Sequence, residues 1–358
     1  MEAISTLGRS FLPPKVVNVD SPLLLGASLG LASLLLFKLT ASRQSRANLT
    51  VHNSLAKLPP GAIKSLVDDI YPEDYYPNGN YVALPMGRVR YWLMGPEDGD
   101  KVVLIHGLSI PSFIFKGLAP VLASHGFRVL LYDLYGRGYS DAPQTSYTAS
   151  LYTTQLALLM QHIGWQKAYI VGLSMGGGIA AAFAADFPWL VNGKIVFMAS
   201  VGLLKLSDLP WNFTIGASAL LRPLLTSSFL RAYQRTKIDT RDLSWAEDEA
   251  AQAVLLQQLQ SSTLPGYVNA VLDSLAIGPV LGQEANFKAL GKKGAETKVL
   301  VIWGTEDAVV PIKCGFQIKE LIPHAEMVTV EGAGHELGVT HPQQVSRILL
   351  KFLETTTS

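Results

Sequence analysis

Short, almost wholly apolar runs alternate with helical patterns through most of this chain. That alternation limits the fold more than any other feature. Lys101-Val-Val-Leu-Ile-His106 precedes a helical pattern near residues 114–124, and Phe127–Asp133 precedes one near 149–163. Ala168–Val171 precedes a pattern over 175–187, and Lys194–Met198 closes a first block. Lys298–Trp303 and Glu326–Val330 are followed by patterns near 313–321 and 342–353. Strands that are apolar without alternation are covered on both faces, so the pattern predicts a mostly parallel sheet with helices on either side. Ligands of such sheets sit beyond the carboxyl ends of the strands. Two further β-type runs, 81–84 and 89–94, flank Pro85-Met86-Gly87 and read as a hairpin.

The alternation breaks between about 203 and 293. That stretch holds helical patterns over 245–260 and 266–275, few strand patterns, and the apolar residues Trp211, Phe213, Phe229 and Tyr233. Its place between two strands of the sheet predicts a helical cap over the site. The expected organisation is a tail (1–20), a membrane anchor (21–41), a linker (42–78), a core split into 79–202 and 294–358, and the cap (203–293).

Within the core, Ala168-Tyr-Ile-Val runs into Gly172-Leu-Ser174-Met-Gly176-Gly177 and then an Ala-rich helix. Glycines around a serine at a strand-to-helix turn form the G-x-S-x-G nucleophile elbow, which pushes Oγ out at the strand end. A serine hydroxyl needs a base and an acid to orient that base, and in this arrangement they follow in the order acid, then His. Asp307 lies in Gly304-Thr-Glu-Asp307 and His335 in Gly334-His335, each just past a strand end. His335 is therefore expected as general base and Asp307 as its orienter, with Glu306 the rival acid. The oxyanion needs two donors. The Met175 N–H at the helix start supplies one, and the Leu108 N–H in the loop His106-Gly107-Leu108-Ser109 is expected to supply the other. His106 is expected to pack beneath that loop. The remaining histidines show no metal-ligand spacing. Gly176-Gly177-Gly178 lacks the Lys-Ser/Thr of a phosphate loop. Neither metal nor cofactor is expected.

Together these motifs resemble the α/β-hydrolase superfamily over about residues 79–354. The likeness rests on His106-Gly107, Asp133-Leu-Tyr-Gly136-Arg-Gly138-Tyr-Ser140, Gly172-Leu-Ser-Met-Gly-Gly177, Gly304-Thr-Glu-Asp307 and Gly334-His335. Within it the chain looks like the capped serine hydrolases: monoacylglycerol lipases, valacyclovir-hydrolase-like esterases and carbon–carbon bond hydrolases. The resemblance implies an eight-stranded sheet, with Asp133 and Arg137 in a structural turn. Haloalkane dehalogenases and epoxide hydrolases of this fold use an Asp nucleophile, and Ser174 argues against both.

The N-terminus is unlike the rest. Residues 22–37 read PLLLGASLGLASLLLF without a charge. As a helix they would span roughly 24 Å, and Lys38 can snorkel to complete a crossing of a hydrocarbon core about 30 Å thick. A cleaved signal peptide is the first rival, opposed by the preceding residues, which include Glu2 and Asp20, and by the lack of a small-x-small site. A helix packed on the protein's own surface is the second. Lys38, Arg43, Arg46 and Lys57 follow the run while Arg9 and Lys15 precede it, a bias that tilts the expectation toward a cytosolic catalytic domain. The sequons at Asn48 and Asn212 would matter only in a lumen.

Only 16% of residues are charged and the formal net charge is +1, so no nucleic-acid partner is expected. Nor does the chain imply an obligate protein partner. The single cysteine, Cys314, excludes an internal disulfide and reads as a buried apolar side chain. The expected protein is a single-pass membrane serine hydrolase of small-molecule or lipid esters. Cleavage of another bond by the same residues, or a non-catalytic binding protein on this fold, are the alternatives.

Overall fold

Ten strands can be followed among the residues that the computed structural model describes, which are 49–208, 221–239 and 248–355. They are β1 (Val51–His52), β2 (Gly79–Leu84), β3 (Gly87–Met94), β4 (Lys101–Ile105), β5 (Arg128–Tyr132), β6 (Ala142–Pro143), β7 (Ala168–Leu173), β8 (Val191–Met198), β9 (Lys298–Gly304) and β10 (Glu326–Val330). Eight of them form one sheet in the order β10-β9-β8-β7-β4-β5-β3-β2. The neighbours from β10 to β5 are parallel, whereas β3 runs antiparallel to both β5 and β2. The hairpin and the mostly parallel sheet expected from the apolar runs are both present. β1 pairs with β6 in a separate two-stranded piece.

The helices are α1 (Ala62–Ile70), α2 (Ala119–Ser124), α3 (Ala149–His162), α4 (Met175–Asp186), α5 (Arg222–Leu225), α6 (Ser228–Arg235), α7 (Glu249–Thr263), α8 (Tyr267–Ala276), α9 (Glu284–Lys292), α10 (Lys313–Leu321), α11 (Leu337–Thr340) and α12 (Pro342–Glu354). Every residue of β7 is buried, as a central strand covered on both faces must be. α4 packs against β7 and against α3 and α9, while α2 packs against β5 and α12. Register aligns the strand ends: Ile105 pairs with Gly172, Leu173 with Met198, Met198 with Ile302, and Gly304 with Val330. Whatever follows those residues emerges along one edge.

Two expected boundaries need correction. Residues 50–78 are part of the core rather than a linker. Leu55, Leu66, Val67, Ile70, Tyr71 and Tyr76 are all buried, and the Leu55 N–H donates to the Gly138 carbonyl at 3.0 Å. Pro59-Pro60-Gly61 and the turn-rich run after Tyr71 bound α1, whose apolar face at positions 66, 67 and 70 has helical spacing. The insertion is also shorter than 203–293. Leu204 bridges to Leu281, closing its base, and α9 returns to the sheet, where Phe287 packs edge-on against Phe197 at 5.1 Å between ring centroids. A parallel β8–β9 connection needs a helix laid on the sheet, and α9 fills that place.

The tail (1–20), the anchor (21–41) and the first part of the proposed linker lie outside the described residues, as do 209–220 and 240–247 within the insertion. Among the described residues no helix is long and apolar enough to cross a membrane.

Candidate active site

Ser174 stands between the last residue of β7 and the first of α4, at φ 54° and ψ −117°. A side-chain-bearing residue at positive φ is strained and persists only where its surroundings hold it. Here the Ser174 N–H donates to the Met198 carbonyl at 2.9 Å, and its carbonyl accepts from Gly177 and Val201 at 2.9 and 3.1 Å. The flanking glycines have no room to be anything else. A Cβ on Gly172 would stand 2.2 Å from the Gly176 carbonyl oxygen, and one on Gly176 would stand 2.0 Å from that of Ile105.

Ser174, His335 and Asp307 come together. Asp307 lies three residues beyond β9 and His335 five beyond β10, on the edge where β7 delivers Ser174. His335 Nδ1 is 2.9 Å from Asp307 Oδ2, and its Nε2 is 3.0 Å from Ser174 Oγ. A carboxylate only accepts, so the imidazole proton sits on Nδ1 and Nε2 is left to accept from the serine hydroxyl. The other carboxylate oxygen of Asp307 accepts from the Val309 and Val310 N–H groups at 2.9 and 2.8 Å, which fixes its plane. Glu306 is exposed and takes no part in this chain of hydrogen bonds.

The loop after β4 lies against the serine. A Cβ placed on Gly107 would be 3.8 Å from Ser174 Oγ. Three successive carbonyls of this loop are clamped from behind. His106 Nδ1–H donates to the Gly107 carbonyl at 2.9 Å while its Nε2 accepts from the Leu134 N–H at 2.9 Å. Burial pushes the His106 pKa down to about 3, so the ring is neutral, as that hydrogen-bond pattern requires. Because a peptide unit is planar and trans, holding the Gly107 carbonyl toward His106 turns the Leu108 N–H the opposite way. The Leu108 carbonyl accepts from Arg137 Nε at 2.9 Å, and the Ser109 carbonyl accepts from the Tyr267 hydroxyl at 2.8 Å and Gln260 Nε2 at 3.1 Å. Met175, the other expected donor, is the first residue of α4, and the N–H groups of a first helical turn lack partners within the helix.

Arg137 is fully buried and joins this loop to the insertion. Its Nη2 reaches the Ala270 carbonyl at 3.2 Å and Ser274 Oγ at 3.0 Å, and its Nη1 donates to the Tyr135 carbonyl and the Tyr152 hydroxyl. Asp133 is equally buried. It accepts from the Ser112 and Tyr139 N–H groups at 2.9 and 2.8 Å and from the Tyr71 hydroxyl, yet burial still lifts its pKa to about 6. Sequence reasoning missed Gln260, Tyr267 and Ser274, whose partners lie more than a hundred residues away. The only trace in the sequence is a glutamine on the apolar side of α7. Among the described residues no cluster of three or more His, Cys, Asp or Glu side chains could hold a metal ion. Cys314 is buried, and burial raises its pKa.

A profile of the alpha/beta hydrolase fold matches residues 100–342, a span that contains Ser174, Asp307 and His335. The chain is 30% identical to a 2-hydroxy-6-oxononadienedioate/2-hydroxy-6-oxononatrienedioate hydrolase of Burkholderia vietnamiensis, over 74% of this chain and 91% of that protein. It is 26% identical to a soluble epoxide hydrolase of Corynebacterium sp., over 74% and 93%. A bromoperoxidase structure from Bacillus anthracis superposes with a TM-score of 0.60 at 25% identity, covering 77% of this chain and 99% of that one. The profile match, these relatives and the strand order of the sheet agree: the chain belongs to the α/β-hydrolase family.

Proposed function

We propose that this hydrolase cleaves carboxylic esters, with Ser174 as nucleophile, His335 as general base and acid, and Asp307 as the residue that orients His335. One observation carries the reading: the unbroken relay from Ser174 Oγ through His335 to Asp307, at 3.0 and 2.9 Å. Ser174 Oγ attacks the ester carbonyl as its proton passes to His335 Nε2. The oxyanion is held by the Met175 and Leu108 N–H groups. Collapse expels the alcohol, which takes the proton from His335, and leaves an acyl-serine. Water, deprotonated by His335, then attacks the acyl carbonyl, and the acid departs as Ser174 regains its proton. No cofactor enters.

The apolar composition of the insertion favours lipid-like esters. The uncharged run over 22–37 supports a single-pass anchor in residues 21–41, with the catalytic domain on the cytosolic side. A second reading, hydrolysis of a carbon–carbon bond by the same residues, draws on the Burkholderia relative and on a 2-hydroxymuconate semialdehyde hydrolase of Pseudomonas putida that is 27% identical. Ser174 in place of an aspartate disfavours epoxide opening. The test is a panel of esters of graded chain length beside a dienoate substrate, run on wild type and Ser174→Ala, with fluorophosphonate labelling of both. Turnover and labelling that survive in Ser174→Ala would overturn the proposal. Turnover of the dienoate alone would move it to the second reading.

A further inference from the structure

Helix α6 carries its aromatic side outward. Phe229 and Tyr233, one turn apart on the same face, are 77% and 54% exposed. Leu224 on α5 is 58% exposed, and so is over half of Val254 on α7, the helix against which α6 packs. Single exposed hydrophobes are ordinary on a protein surface, but two large aromatic rings side by side on one helix face call for an occupant.

Charge indicates which occupant. From Leu209 to Ile238 the chain holds Arg222, Arg231, Arg235 and Lys237 and no Asp or Glu; the acidic residues resume at Asp239. Arg222 is engaged by Asp273 at 2.5 Å, and Arg231 by the Thr226 carbonyl. Arg235 and Lys237 are exposed at the end of α6, and the Lys237 ammonium lies 5.2 Å from the Tyr233 ring centroid. Aromatic rings beside the exposed cations Arg235 and Lys237 suit a bilayer interface. The rings settle at headgroup depth while the cations meet anionic lipid.

We propose that the α5–α6 face docks on the surface of a bilayer carrying anionic headgroups. The docked face is one helix removed from the site, because α7 supplies Gln260 to the Ser109 carbonyl. Docking requires no chemistry at Ser174, so it stands or falls apart from the ester reading.

The test uses the full-length chain with Phe229→Cys carrying an environment-sensitive dye, the buried Cys314 being left in place. A second label at Gln343→Cys, exposed on α12, is the control for insertion at a site outside the face. With vesicles of phosphatidylcholine and phosphatidylserine, the dye at 229 should brighten and shift to the blue while the dye at 343 stays unchanged. Arg235→Gln with Lys237→Gln should weaken the response at 229 about tenfold. Unchanged thermal melts would show that these variants fold. A silent dye at 229 on vesicles that have bound the protein overturns the proposal. So does an equal response on pure phosphatidylcholine. A response that follows protein concentration without vesicles also overturns it, and assigns the face to a second copy of the chain.

Discussion

The geometry around Ser174 makes distinct demands on single residues. Ser174→Ala removes the oxygen that lies 3.0 Å from His335 Nε2, so on the proposed mechanism ester turnover should fall on the order of 10³-fold or more while substrate affinity is largely kept. Steady-state kinetics separate the two quantities, and wild-type turnover in the mutant would end the assignment. Asp307→Asn should cost about 10²-fold or more, because the imidazole loses both its charge partner and the acceptor that places its proton on Nδ1. Glu306→Gln should change little, since Glu306 is exposed; comparison of kcat for the two variants decides between them. His106 has a signature in pH. Its folded pKa, about 3, lies below that of an unfolded histidine near 6.5, so the unfolded state takes up the proton first as pH falls. The stability it contributes is complete above the unfolded value and drains away on acidification toward the folded one. Between pH 6 and pH 4, chemical denaturation should show wild type losing about 1.4 kcal/mol per pH unit more than His106→Asn. Parallel slopes would mean that His106 is already charged in the folded protein.

At the scale of elements, the insertion and the loop after β4 behave as one piece. Tyr267 and Gln260 both donate to the Ser109 carbonyl, and Arg137 carries the Leu108 carbonyl to α8. Tyr267→Phe combined with Gln260→Leu strips Ser109 of both donors. With each hydrogen bond worth about 1 kcal/mol, kcat should fall roughly tenfold with KM nearly unchanged. A boronate that forms a tetrahedral adduct on Ser174 should lose affinity by a similar factor, whereas equal losses of kcat and of product-acid binding would indicate general damage. These contacts also mark where sequence reading stops. Gly172, Ser174 and Gly176 were legible because the turn that needs them is five residues long and local. Asp307 and His335 were legible because each follows a recognisable strand, in a fixed order. Gln260 and Arg137 meet partners across 151 and 133 residues, and no local pattern encodes such distances. The region around α1 failed for another reason. Its prolines and glycine have a linker's composition, although Leu66, Val67 and Ile70 beside them carry a helical apolar stripe.

For the whole molecule, the correction around α1 changes where the chain can be cut. A chain starting at Pro59 would lose β1 and Leu55, which is completely buried. Removing that side chain forfeits about 2 kcal/mol, which should lower Tm by several degrees relative to a chain starting at Thr50. The chain from Thr50 should hydrolyse water-soluble esters at the full-length rate and come off membranes in high salt, whereas full-length protein should stay with membranes through high salt and alkaline carbonate. Calorimetry and fractionation check both statements; full-length protein wholly in the supernatant would count against the anchor. The split of the core by its insertion has a consequence in time. Ser174 is synthesised with the first half of the sheet, but His335, its partner in the proposed relay, arrives only when β9 and β10 dock beside β8, 161 residues further on. On the proposed mechanism, a half-made chain should expose the serine without its base to the lipids and proteins around the ribosome. Capture of an active-site probe by nascent or refolding chains would serve as a clock that starts only when the last strands have joined.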